Sequence, residues 1–207
     1  MNFKTSSFVP SRRRFLLNVL PAGTMLCFGC GHLFGSDHVK GITKLASDKH
    51  KFLTDSGMTF KDVFSFAFTG HYIPIMKNLA AEKGEDKFIE MLKRAASEAA
   101  AQNMKNMTRN LPKKDIATLA GFTKSNPFFQ KVLSYEIVEE SDSVFEVKIT
   151  ECLFAKTFRE ANASDIGYAS ICYPDFASAQ AYNPKMKLIR TKTLMQGHDC
   201  CNHRYIL

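Results

Sequence analysis

LSYEIVEESDSVFEVKIT, residues 133–150, decides the fold. Leu133, Tyr135 and Ile137 alternate with Ser134 and Glu136, and Phe145, Val147 and Ile149 alternate with Glu146 and Lys148. A period of two puts the apolar set of each run on one face of a strand. Between the runs lies a short polar turn, Glu140 to Ser143, so the stretch predicts a hairpin with one buried face.

Working outward, the chain before the hairpin has a different period. Phe64, Phe68 and Tyr72 lie four apart, and Phe88, Met91, Leu92 and Ala95 recur every three or four residues. That spacing predicts helices from Phe60 to Met107, with a stop and restart at Gly84. Residues 110–115 read as a turn leading into a capped helix over Ile116–Phe122, and Ser125-Asn-Pro127 closes the helical half. Beyond the hairpin, residues 153–163 and 165–181 read as helices, Met186–Leu194 as a third strand and His203–Leu207 as a short edge strand. Helices first, then an antiparallel sheet with inserted helices, make an α+β fold. The division expected is an export signal over 1–34, a polar linker over 35–57 and a single hydrolase-like domain over 58–207.

The signal rests on Ser11-Arg12-Arg13-Arg14-Phe15-Leu16-Leu17, which precedes an apolar run reaching about Phe34. This is the layout of a twin-arginine signal, implying the twin-arginine translocation machinery as partner and export of the folded protein to the periplasm or cell envelope. A cytosolic amphipathic helix with a basic end is the blander reading. A spanning helix is disfavoured because Pro21, Gly23, Gly29 and Gly31 interrupt the run. Cys27-Phe-Gly-Cys30 loosely follows a lipoprotein box, so membrane contact is expected only through the signal or a lipid on Cys30.

The chain of 207 residues carries a formal +8, but residues 1–30 hold Lys4, Arg12, Arg13 and Arg14 and no acid, leaving +4 for the remainder. That balance does not call for nucleic acid. A 45% hydrophobic content with eighteen Phe fits one globular domain with a real core. No phosphate-binding glycine loop, nucleophile elbow or His-Glu-x-x-His motif occurs.

Candidate chemistry concentrates late in the chain, at Glu151-Cys152, Cys172-Tyr-Pro-Asp175 and Gly197-His-Asp-Cys200-Cys201-Asn-His203. Strand parity continued from Phe145, Val147 and Ile149 points Glu151 to the buried face and Cys152 away from it. Cys172, taken alone, reads as a small core residue, whereas Asp175 three residues on makes it a site candidate. Cys200 and Cys201 are adjacent, so their side chains diverge and one of them serves a given site. His71 reads as a solvated or capping residue. Arg190, Lys192 and Thr193 lie on the third strand, where a cation is either solvated or placed to hold a carboxylate. The cysteines stay open to three readings: disulfides, reactive thiols or zinc ligands.

With those residues quoted, the second half resembles the L-2-amino-thiazoline-4-carboxylic acid hydrolase family. Glu151-Cys152, Cys172-x-x-Asp175, Tyr182-x-Pro184, Arg190-Thr-x-Thr193 and Gly197-x-x-x-Cys201 follow that family's order. Two departures stand out: Cys200 is an extra thiol, and His203 stands where an aromatic is usual. The resemblance implies hydrolytic opening of a small heterocyclic C–N bond, with the thiazoline carboxylate yielding N-carbamoyl-cysteine. Cys172, Asp175 and Cys201 would be catalytic, and Arg190 and Thr193 would bind substrate. A fainter likeness, to zinc-holding domains of the vinyl-reductase type, implies an exported non-catalytic binding or sensory module. There Glu151, Cys172, Cys201 and His203 would hold zinc. Either way Glu151, Cys172, Asp175 and Cys201 are expected to converge.

Overall fold

In the computed structural model, which describes residues 57–207, the hairpin forms as β1 (Leu133–Glu140) and β2 (Val144–Cys152). The export signal, Cys27, Cys30 and nearly all of the linker lie outside the described residues. Before the hairpin come α1 (Phe60–Ala67), a π-helical turn (Phe68–Tyr72), α2 (Ile73–Lys83), α3 (Glu85–Met107), α4 (Ile116–Ser125) and α5 (Phe129–Val132). After it come α6 (Leu153–Glu160), α7 (Ser164–Gly167), a second π-helical turn (Tyr168–Cys172), α8 (Asp175–Tyr182) and β3 (Lys187–Ile189). A 3₁₀ turn (Leu194–Gln196) and β4 (Cys201–Ile206) complete the chain. This is an α+β fold, with a helical first half and a four-stranded antiparallel sheet in the order β1-β2-β4-β3.

Local chemistry sets several of these boundaries. Thr59 and Asp62 form a reciprocal capping box at the start of α1. Asp115 accepts the Thr118 N–H at 2.9 Å and starts α4. Gly84 separates α2 from α3 with φ at +83°, a conformation that disfavours residues with a Cβ.

Three expectations need correction. The C-terminal strand is central rather than an edge, because β4 pairs with β2 on one side and β3 on the other. Strand pairing between distant segments is invisible to local periodicity. The third strand shrinks to Lys187–Ile189, since Asn202 accepts the Thr191 and Lys192 N–H groups on its side-chain oxygen and holds that segment as a loop. The helix expected over 165–181 is broken: a π-helical turn ends at Cys172, and Pro174, lacking an N–H, cannot continue the hydrogen-bond ladder.

Two apolar clusters form the core. In one, Phe88, Phe158, Ile166 and Met195 pack with Ile73, and Cys152 and Cys172 lie against them. In the other, Phe145 and Val147 of β2 pack on Ile116, Leu119, Ala179, Tyr182 and Met186. Gly167 lets the first cluster close: a Cβ there would stand 2.6 Å from the Met195 sulfur and 2.8 Å from the Phe158 ring. Met195 is 1% exposed and Phe158 fully buried, so neither has open space to retreat into. Gly167→Ala is therefore expected to destabilise the protein by about 1–3 kcal/mol through overpacking. Urea unfolding of the two proteins measures it, and an unchanged midpoint would show that the cluster is loosely packed.

Candidate active site

The site is assembled by the register of β4. Ile149 pairs with Cys201, Val147 with His203 and Phe145 with Tyr205. The three β2 residues are buried, so period-two alternation turns Cys201, His203 and Tyr205 to the same inner face. On the other side Leu188 pairs with Tyr205 and Ile189 with Arg204, and Arg190 follows directly after the strand, within reach of His203. Gly197, with φ at +91°, caps the 3₁₀ turn in a left-handed conformation and returns the chain to the start of β4.

Arg190 is the hub. Its Nη1 donates to the Asp175 carboxylate at 2.7 Å and to the Cys172 carbonyl at 2.9 Å. The same nitrogen lies 3.5 Å from His203 Nε2. A guanidinium only donates, so Nε2 is assigned as acceptor and the ring proton to Nδ1. The Arg190 side chain is 1% exposed. Its guanidinium carbon lies 4.8 Å from the Phe176 ring centre and 5.7 Å from that of Tyr168. Its second nitrogen, Nη2, is buried without a hydrogen-bond partner.

Burial pushes Asp175 up to about 6, against the downward pull of Arg190. The Asp175 side chain keeps 35% of its surface open, which gives protons a route to the carboxylate. Burial, reinforced by Arg190, pushes His203 down to about 3, so its imidazole is neutral at ordinary pH. Burial also raises all three neighbouring thiols: Cys201 to about 11, with Cys172 and Cys152 likewise above the ordinary thiol value. The Asp175 charge acts on each of them, and Cys172 is raised further by Cys152 and Cys201. The three thiols and the carboxylate thus lie within electrostatic reach of one another, and the thiols are neutral near pH 7.

Of the residues expected to converge, Cys172 and Asp175 meet at Arg190, and Cys201 lies within electrostatic reach of both. Glu151 does not. Ser134 pairs with Glu151 but Tyr135 pairs with Ile149, so Thr150 is an extra residue on β2. The Thr150 hydroxyl donates to the Ser134 carbonyl at 3.3 Å across this bulge. The bulge inverts the parity: Glu151 faces solvent and accepts from the Ser134 hydroxyl at 2.5 Å, while Cys152 turns inward. The proposed zinc set of Glu151, Cys172, Cys201 and His203 is accordingly not brought together. Among the described residues no group of three or more His, Cys, Asp or Glu side chains is arranged to hold a metal. The four cysteines of the domain carry free thiols.

Thr193 is also placed otherwise than expected of a substrate-binding residue. It is buried, its hydroxyl donates to the Gln196 side chain at 2.9 Å and accepts the Gln196 N–H, and it caps the 3₁₀ turn. Cys200 diverges from Cys201 as adjacency requires: its thiol points to Asp199, whereas the Cys201 sulfur accepts the Leu194 N–H at 3.2 Å. His71 is exposed, with Nδ1 2.9 Å from the Phe66 carbonyl. Asn202, which fixes the loop after Arg190, was missed because a polar residue alternating on a strand reads as merely solvated. A groove of about 740 Å³ is lined by Ser134, Glu151, Cys152, Lys156, Arg159 and Leu194, among others. Cys152 alone belongs to both the groove and the thiol cluster.

Removing Arg190 leaves Asp175 without its counter-charge. Arg190→Gln is expected to cost about 3 kcal/mol, the low end for breaking a buried pair because Asp175 is partly open. Denaturant titration at pH 8 checks this, and the loss should shrink as pH falls towards about 6, where Asp175 takes up its proton and no longer needs a partner. The sequence matches the family model of L-2-amino-thiazoline-4-carboxylic acid hydrolase over residues 65–205. No curated protein matches it. The chain belongs to the L-2-amino-thiazoline-4-carboxylic acid hydrolase family.

Proposed function

We propose that this member of the L-2-amino-thiazoline-4-carboxylic acid hydrolase family hydrolyses a small heterocyclic amidine of the 2-amino-thiazoline-4-carboxylate type, and that Asp175 moves the proton. The observation that carries the reading is a carboxyl lifted to about 6 and held against a buried guanidinium. Such a group is largely ionised at neutral pH yet close enough to its pKa to take up and return a proton.

Water adds to the amidine carbon, Asp175 takes the proton that water loses, and the C=N π pair moves to nitrogen. Collapse of the tetrahedral adduct forms the C=O and expels the ring sulfur; the adduct's hydroxyl proton passes to the ring nitrogen that took the π pair, and the Asp175 proton returns to the sulfur. Both nitrogens stay on the former amidine carbon, and the product is an N-carbamoyl-cysteine with a free thiol. Cys172 and Cys201, neutral by burial, suit a polarisable wall beside the reacting carbon better than the role of thiolate nucleophile. Arg190 keeps the ionised form of Asp175 within reach.

The test is a thiol-release assay on the thiazoline carboxylate, with the product confirmed by mass spectrometry. Asp175→Asn is expected to lower kcat by about 10²–10⁴-fold. As a base, Asp175 must be ionised, so kcat/KM should rise with pH through about 6 and level off above it. His203, already neutral above about 3, cannot supply that limb, which should persist in His203→Phe. An undiminished Asp175→Asn enzyme would sink the assignment.

A further inference from the structure

The groove beside α6 raises a question that the buried pair leaves open: how a substrate carboxylate is recognised. Arg190 cannot be reached from solvent, since its side chain is 1% exposed and is packed between two aromatic rings. The groove offers a different set of cations. Cys152, Lys156 and Arg159 stand at i, i+4 and i+7, which places them along one face of α6, and all three line the hollow. Cys152 caps the helix, its sulfur accepting the Ala155 N–H at 3.5 Å.

Charge in the groove is incompletely neutralised. Lys131, Lys156 and Arg159 face Glu151 and Glu160 there. Glu151 is held by Ser134, and the Lys131 ammonium lies 5.7 Å from the Phe60 ring centre. Arg159 reaches across to the Leu194 carbonyl with one nitrogen at 3.4 Å, and it makes no carboxylate ion pair among the described residues. The remaining donors of its planar fork suit a bidentate carboxylate. Leu194 itself donates its N–H to Cys201, so the groove wall that Arg159 touches is continuous with the thiol cluster.

We propose that this groove is the port for a small carboxylate ligand, that Arg159 grips the carboxylate, and that Cys152 lines the passage from the port to the buried pair. The inference rests on the hydrolase reading for the identity of the ligand, but not for its charge. It reassigns carboxylate recognition from Arg190 to Arg159.

The experiment separates the two. The full chain is treated with iodoacetate or with iodoacetamide, reagents of similar size that differ in charge, and modified cysteines are mapped by mass spectrometry over time. Cys152 is expected to react before Cys172 and Cys201. The ratio of its iodoacetate rate to its iodoacetamide rate should fall about threefold or more in Arg159→Gln and recover in Arg159→Lys, since the cation attracts only the charged reagent. A ratio that stays within about twofold in Arg159→Gln, or a Cys152 slower than both other thiols, would overturn the proposal. With the thiazoline carboxylate as substrate, Arg159→Gln should raise KM about tenfold with kcat nearly unchanged, the signature of lost uniform binding. An unchanged KM would likewise overturn it. A wild-type protein without turnover would remove the hydrolase reading alone, leaving the alkylation ratio to decide the port.

Discussion

The pairing of Asp175 with Arg190 constrains everything around it. Bringing a guanidinium to 1% exposure is costly unless its charge is matched, and here Asp175 matches it while Nη1 donates to the Asp175 carboxylate and the Cys172 carbonyl. Asp175 begins α8, Cys172 ends the π-helical turn before it, Arg190 follows β3, and His203 lies on β4. One side chain therefore ties four segments at the junction of the two apolar clusters. The tie also determines protonation. Arg190 favours the ionised carboxylate, burial favours the neutral one, and the outcome is an acid near 6 rather than near 4. A fully exposed Asp would be too weak a base to be useful at neutral pH. A buried Asp without Arg190 would lie higher still, since the downward pull would be gone.

Register decides which side chains share this environment. A single extra residue at Thr150 exchanges the faces of Glu151 and Cys152. A second irregularity, at Val138, does the same on β1, so that Glu139 joins Glu146 in binding Arg204 on the solvent side of the sheet. Because the side-chain period of a strand is two, each such insertion reverses everything beyond it. The bulge at Thr150 keeps a carboxylate out of a space that already contains one. Two acids sharing Arg190 would push one pKa higher still.

These mechanisms explain what was readable in the chain. The hairpin and the helical half follow from local periodicity, and the structure agrees with them. Glu151 was misplaced because parity assumes an unbroken strand, and no residue type marks the bulge: Thr is an ordinary strand residue. The central place of β4 was hidden for a different reason, since pairing between segments fifty residues apart leaves no local trace. The role of Arg190 was half legible. Its proximity to the cluster was apparent, whereas its burial between Phe176 and Tyr168 depends on the break at Tyr173-Pro174 that re-aims α8.

The abundance of cysteine then takes on a different meaning from the one it suggests in the sequence. Four thiols in fifty residues invite a thiolate, a disulfide or a metal. In the folded chain Cys152, Cys172 and Cys201 are small, partly or fully buried and raised above the ordinary thiol range, first of all by desolvation and further by the Asp175 charge. A neutral thiol is compact, weakly polar and polarisable. It can line a space around a carboxylate without competing for the proton, as a second acid would. Asp175, which burial lifts to about 6, is then the member of this cluster whose pKa lies nearest neutrality.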